Sequence, residues 1–205
     1  MIIGVDFDNT IISYGELFYQ EALRRGLIKK GFSKNKKLIR DRIRKTYSDI
    51  EWQKLQGKVY GSGIQEAELI EGTGNFIVSC KRSGISLYII SHKTQYANFD
   101  DTKINLRKAA LNWMSRNDFF NSNGMGFDRK HIYFEPTKNE KIERIKQLKC
   151  THFIDDLEET FLEKPFPENV KKILYDPDGL FTDCLGVKIV RSWNEITEYF
   201  FSANN

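Results

Sequence analysis

The sequence predicts an α/β fold, a mostly parallel sheet with helices on both faces, plus a small helical module near the N-terminus. Three observations predict it. Short apolar runs stop abruptly at polar or acidic residues, as buried parallel strands do at a functional edge; residues 2–5, 85–90 and 152–154 are the clearest. Amphipathic stretches of helical period separate these runs, and strands alternating with helices fold as a parallel sheet covered on both sides. Residues 14–70 break the alternation, because they read as helical almost throughout.

The elements follow in order. Ile2-Ile3-Gly4-Val5 is a strand that ends at Asp6. In the helical stretch, Leu17, Phe18, Ala22 and Leu23 share one face, as do Leu38, Ile39, Ile43 and Tyr47. Gly57, Gly61 and Gly63 mark a loop near its end. A helix over 75–82 stops at Gly84, and the strand 85–90 leads into Ser91-His92. A helix follows over 104–114, then a polar loop over 115–131 and a strand at 132–134. Lys138 opens a helix with Ile142, Ile145 and Leu148 on one face. Residues 152–154 form a strand that runs into Asp155-Asp156. Strands at 170–175 and 187–190 and a closing helix at 193–200 complete the chain. Domain boundaries follow: a core of residues 1–13 and 71–205, and a helical module of residues 14–70.

Composition narrows the class. The chain has 205 residues, 40% hydrophobic and 13% aromatic, enough for a buried core. No apolar run approaches the ~20 residues of a membrane helix, and no targeting segment is evident, so a cytoplasmic protein is expected. Cys80, Cys150 and Cys184 lie far apart, without metal-ligand spacing, and read as reduced, buried thiols. Charge is unevenly spread. Residues 24–45 contain eleven Lys and Arg against Asp41 alone, a segment of +10; with a net charge of +4, the remainder carries −6.

The acidic residues at the predicted sheet edge carry the chemistry. Asp6-Phe7-Asp8-Asn9-Thr10 places two carboxylates two residues apart, pointing the same way in extended chain. Asp155 and Asp156 follow another strand. Open α/β sheets bind ligands beyond the carboxyl ends of their strands, so all four gather at one place. Four carboxylates repel one another unless a cation neutralises them, and Mg2+ suits an all-oxygen site that also holds a phosphate. Lys138 or Lys141, both at the start of one helix, supplies a cation to steady an acidic nucleophile and pair with a phosphate oxygen; Lys138 is favoured.

These residues resemble the four motifs of the haloacid dehalogenase (HAD) superfamily, in order. Asp6-Phe7-Asp8-Asn9-Thr10 matches Asp-x-Asp-x-Thr after a strand. Ser91 matches the Ser or Thr that ends a strand, Lys138 the helix-opening lysine, and Asp155-Asp156 the acidic pair. The resemblance covers most of the chain outside 14–70 and implies a HAD-like, Rossmann-type core with phosphatase chemistry. Asp6 would be the nucleophile that forms an aspartyl-phosphate, and Asp8 the general acid and base. Mg2+ would be held by Asp6, the backbone carbonyl of Asp8, and Asp156, with Asp155 acting through water. Ser91, Lys138 and His92 would bind the phosphate, and Thr10 would support the loop. Lys93 reads as a surface residue. Dehalogenation is disfavoured, because Asp8 serves a leaving oxygen that a halide lacks.

Residues 14–70 fall where HAD proteins carry a cap that closes over the site, which puts the basic segment on the specificity module. Tyr14 and Glu16 are candidates to face substrate. Residues 24–45 serve as a solvated face, as a surface drawing in anionic metabolites such as sugar phosphates, or as a contact for nucleic acid or another polyanion. Four functions follow: a phosphatase acting on a small phosphorylated metabolite, a nucleic-acid end phosphatase or nucleotidase, a mutase-type phosphoryl transferase, and a binding module with a dead site. The intact acidic set speaks against the last.

Overall fold

The computed structural model describes residues 1–99, 102–182 and 186–202. Its eight strands are β1 (Ile2–Val5), β2 (Ile12–Ser13), β3 (Glu68–Leu69), β4 (Ser86–His92), β5 (Ile132–Glu135), β6 (His152–Asp155), β7 (Lys171–Tyr175) and β8 (Val187–Val190). The α-helices among the described residues are α1 (Gly15–Arg24), α2 (Lys36–Thr46), α3 (Asp49–Tyr60), α4 (Thr73–Arg82), α5 (Leu106–Arg116), α6 (Lys138–Gln147), α7 (Glu158–Leu162) and α8 (Trp193–Phe201). Six strands form one parallel sheet in the order β5-β4-β1-β6-β7-β8. The predicted α/β class holds, with every strand of this sheet parallel.

The sheet is covered on both faces, and the two-residue side-chain period of the strands shows how. Ile89, Ile154 and Ile173 join a core with Phe76, Trp113 and Trp193, from α4, α5 and α8. Their neighbours Ile90, Phe153 and Leu174 join a second core with Ile142 and Ile145 of α6 and Phe161 of α7. Adjacent residues of one strand therefore serve opposite layers. Buried on both faces, the central strands have to be apolar throughout.

β1 sits at the middle, between β4 and β6. Gly4 is needed there for close packing: a Cβ at this position would lie 2.6 Å from the ring of Phe153 on β6 and 3.2 Å from the sulfur of Cys150. After Asp6 the chain turns sharply. Asn9 takes a left-handed φ of 58°, and the amides of Ile11 and Ile12 both reach the carbonyl of Phe7, at 3.0 and 3.2 Å. The indole of Trp193 donates to the carbonyl of Thr10 at 2.8 Å, which ties this turn to α8. Trp113 donates likewise to Ala67 at 2.8 Å, just before β3. Buried indoles ordinarily find such partners, and here they fix the two chain segments that lead into and out of the helices α1–α3.

Those helices pack on one another, and their core is aromatic: Phe18 stacks on Trp52 with centroids 5.0 Å apart, and Tyr60 meets Phe18 edge-on. Asn35 caps α2 and Ser48 caps α3, each accepting from the amide three residues on.

Several expectations are corrected. Gly57 lies buried inside α3, and the loop begins only at Gly61. Ile39 and Ile43 are buried, but Leu38 and Tyr47 stand about half exposed, because the buried stripe of α2 is narrower than the periodicity suggested. The stretch 14–70 was read without strands, yet it ends in β3, which pairs antiparallel with β2. Two-residue strands show no periodicity. The loop at 115–131 contains one 3-10 turn, Arg129–His131. Cys80 and Cys150 are buried free thiols, and Cys184 lies outside the described residues. Among the described residues no helix is long and apolar enough to cross a membrane.

The contact at Gly4 gives a test. Gly4→Ala is expected to lose about 1–3 kcal/mol in urea unfolding, the usual cost of overpacking. Adding Phe153→Leu should return part of that loss. A Gly4→Ala protein of unchanged stability would refute the close approach.

Candidate active site

Two parallel strands deliver the acidic residues to one edge. Asp6 follows β1, Asp155 is the last residue of β6, and Asp156 comes next. The amide of Asp6 donates to the carbonyl of Ile154 at 2.9 Å, which locks the two acidic segments in register. One carboxylate oxygen from each of Asp6, Asp155 and Asp156 lies within 4.8 Å of the others. Asp155 contributes one oxygen to this group, and both of its oxygens already accept hydrogen bonds from protein groups. Thr10 is fully buried, with its hydroxyl 3.5 Å from Asp156 Oδ1.

Lys141 holds the centre. Its Nζ donates to Asp6 Oδ1 at 2.6 Å and to Asp155 Oδ2 at 2.7 Å, and all three side chains are buried. Asp155 accepts a further bond from the amide of Leu157. Lys138 was the favoured lysine, and the structure corrects this. As the first residue of α6 it is half exposed, with its Nζ 3.9 Å from Glu159. Lys141 lies one turn deeper, beside Ile142 on the buried face of the helix.

The electrostatics follow from burial. Asp6 is pushed up to about 6 by loss of solvent, against the pull of Lys141 and with added repulsion from Asp155 and Asp8. Burial also raises Asp156 well above the usual carboxylate range, with Lys36 opposing. Burial alone would lower Lys141, but Asp155 and Asp6 outweigh it and hold the ammonium firmly charged.

Asp8 points elsewhere. Lys93 reaches both its oxygens, at 3.0 and 2.8 Å, and the Tyr14 hydroxyl donates to Oδ1 at 2.9 Å. Lys93 was read as a surface residue; it is in fact buried, with its ammonium 5.7 and 5.0 Å from the ring centres of Phe7 and Tyr60. Its position two residues after Ser91 was the available signal. Tyr14 was expected to face substrate. It is instead wholly buried, and burial together with Asp8 raises its phenol well above the usual value. Glu16 is exposed and pairs with Lys34 at 2.6 Å, on a neighbouring cavity that shares Lys36, Arg40 and Asp156 with the one above the acidic cluster. Ser91 is buried at the end of β4, whereas His92 is exposed and its Nε2 lies 3.1 Å from the carbonyl of Pro136.

Above these groups opens a cavity of about 670 Å³. Asp6, Asp8, Ser91, Lys93, Lys141 and Asp156 form its floor. Lys36, Arg40 and Arg44 of α2 and Trp52, Gln53, Gln56 and Tyr60 of α3 line the other side. On the floor, Lys93 pairs with Asp8 and Lys141 with Asp6 and Asp155, while Lys36 faces Asp156 and Asp8 from α2. Four carboxyl groups against three ammonium groups leave a surplus of acid, in surroundings where unpaired charge is costly. The donors are all carboxylate oxygens, so the residues present fit one hard divalent cation.

No protein-family model and no curated protein sequence matches the chain. Solved structures do. A HAD family hydrolase from Deinococcus radiodurans R1, with bound phosphate and sodium, superposes with a TM-score of 0.57 at 12% identity over 98% of this chain and 95% of that one. A HAD phosphatase from Thermococcus onnurineus gives 0.52 at 11% identity, over 100% and 99%. A Bacillus subtilis protein described as a HAD-type hydrolase, bound to magnesium, gives 0.52 at 14%, over 98% and 98%. The fold is therefore that of the HAD hydrolases, as the four motifs implied.

The two lysines of α6 should separate cleanly. Lys141→Met leaves Asp6 and Asp155 buried without their cation and is expected to cost about 3–5 kcal/mol at pH 8 in chelator. Lys138→Met, at a half-exposed position, should stay within about 0.5 kcal/mol. Equal losses in urea unfolding would contradict the assignment.

Proposed function

We propose that the protein is a Mg2+-dependent phosphomonoester hydrolase acting on a small phosphorylated metabolite through an aspartyl-phosphate at Asp6. The observation that carries this reading is the convergence of Asp6, Asp155 and Asp156 within 4.8 Å beneath a cavity that Ser91 also lines. The fold shared with a hydrolase holding phosphate and another holding magnesium supports it.

In this reading Asp6, Asp155 and Asp156 hold the cation, with the carbonyl of Asp8. When bound, Mg2+ supplies the positive charge that lets an anionic carboxylate approach an anionic phosphate. Asp6 attacks phosphorus, and the bond to the ester oxygen breaks. Asp8 gives its proton to the departing oxygen, then takes one from the water that cleaves the acyl phosphate. Phosphate leaves, and the Asp6 carboxylate is restored. Lys93 and Tyr14 set the position of Asp8. The Ser91 hydroxyl and Lys141 bind phosphoryl oxygens, and Thr10 steadies the loop. Residues 14–70 form a cap over a core of residues 1–13 and 71–205, and the cap excludes water.

Phosphate release from a panel of phosphorylated metabolites tests this directly. Chelator should abolish release and Mg2+ restore it. Asp6→Asn should fall below detection, and Asp8→Asn should lose about 10²–10⁴-fold, the range of general acid-base catalysis. Full activity in Asp6→Asn would exclude the mechanism.

A further inference from the structure

We propose that the cavity takes a compact ligand with two anionic groups, one at the Asp6 floor and a second bound by Lys36, Arg40 and Arg44 of α2. This rests on the phosphatase reading and adds the class of substrate.

The eleven cations of residues 24–45 do not act alike. Lys36, Arg40 and Arg44 recur every fourth position, so they form a single column along α2, with ~6 Å of rise between successive members. All three line the 670 Å³ cavity, Arg44 from an exposed position, whereas Arg42 and Lys45 do not line it. The neighbouring stripe, Ile39 and Ile43, is buried among the helices and fixes the rotation of α2.

Lys36 lies at the inner end. It is half-buried, with its ammonium 5.6 Å from the Tyr60 ring centre. It faces Asp156 and Asp8 across the cavity, and these groups together with the neighbouring Tyr60 outweigh its burial and keep the ammonium charged. Arg40 and Arg44 follow one and two turns farther along, ~6 and ~12 Å on. A phosphoryl group seated at Asp6 and Ser91 accounts for the floor, and for Lys36 at most. The outer two guanidiniums lie beyond its reach and are placed to meet another anion.

Their present partners are weak competitors. Arg40 Nε pairs with Asp41 at 2.9 Å and Arg44 Nε with Asp49 at 2.6 Å, in both cases with a half-exposed acid. Such pairs contribute about 0–1 kcal/mol, less than a bidentate guanidinium bond to phosphate or carboxylate. Size decides between ligand classes. A cavity of this volume suits a small metabolite. The second group is therefore a phosphate or carboxylate on the same small molecule.

Fructose 6-phosphate and fructose 1,6-bisphosphate differ by one such group and serve as probes. With Mg2+, kcat/KM for phosphate release should favour the bisphosphate at least about tenfold, the size of one charge-assisted hydrogen bond. Arg40→Gln/Arg44→Gln should remove most of that preference. Arg42→Gln/Lys45→Gln deletes equal charge outside the cavity and should keep it. Loss of preference in both double variants would assign it to long-range attraction and overturn the site. So would a ratio near one in the unmodified protein. A 5′-phosphorylated oligonucleotide hydrolysed better than either sugar would overturn the compact ligand. Calorimetric titration of both sugars into Asp6→Asn protein reads binding apart from turnover. Tighter bisphosphate binding that depends on Arg40 and Arg44 supports the anion site even if neither sugar is hydrolysed, an outcome that would count against the phosphatase reading alone. Equal affinities overturn the site.

Discussion

The ammonium of Lys141 lies between the carboxylates of Asp6 and Asp155, and most of the structure serves to keep it there. All three groups are buried. The attraction among them has to offset the desolvation of three charges, and it does so only with close geometry. Three elements meet that demand. β1 brings Asp6, β6 brings Asp155, and α6 presents Lys141 from a face that also carries Ile142 and Ile145. Because β1 and β6 are paired in parallel, the carboxylates cannot drift apart without breaking the sheet.

Anchoring of the loops follows from the same constraint. The chain must leave the sheet just after Asp6 and turn so that Asp8 meets Lys93 and Tyr14. The left-handed Asn9 makes the turn, and Trp193 holds it from α8. The floor is thereby tied to both cores of the molecule, through Trp193 on one face and α6 on the other. Lys93 and Lys141 on the floor and Lys36 of α2 offset most of its acidic charge. The acid left in surplus defines the demand for a cation, and that demand comes from the arrangement of charge before any ligand is considered.

The cavity has opposite character on its two sides. Its floor is acidic overall; its far side, from α2, is basic. A basic surface held near an acidic site suits a ligand that is anionic at both ends once a divalent cation is bound. Helical geometry sorts the cations of α2: Lys36, Arg40 and Arg44, four residues apart, turn toward this cavity, and Arg42 and Lys45 turn away from it.

Much was legible in the sequence. Apolar runs ending in Asp6, Ser91 and Asp155 reveal where buried strands stop, and the order of elements dictates a parallel sheet, since both follow from local periodicity and from the cost of burying backbone. The same pattern identifies which acidic residues gather at one edge. Three-dimensional packing decided the rest. Lys138 and Lys141 stand about one turn apart at the start of one helix, and only the depth of α6 against the sheet tells which of them reaches Asp6. Lys93 sits among polar residues in sequence, yet Phe7 and Tyr60 enclose it. Tyr14 follows the acidic motif like any substrate contact, but packing turns its hydroxyl inward to Asp8. Strand ends and helical faces are set by short-range pattern, so the sequence alone determines them. Which of several nearby charged side chains is buried depends on residues far away in sequence, 135 positions for Lys141 and Asp6, and only the tertiary structure brings those together.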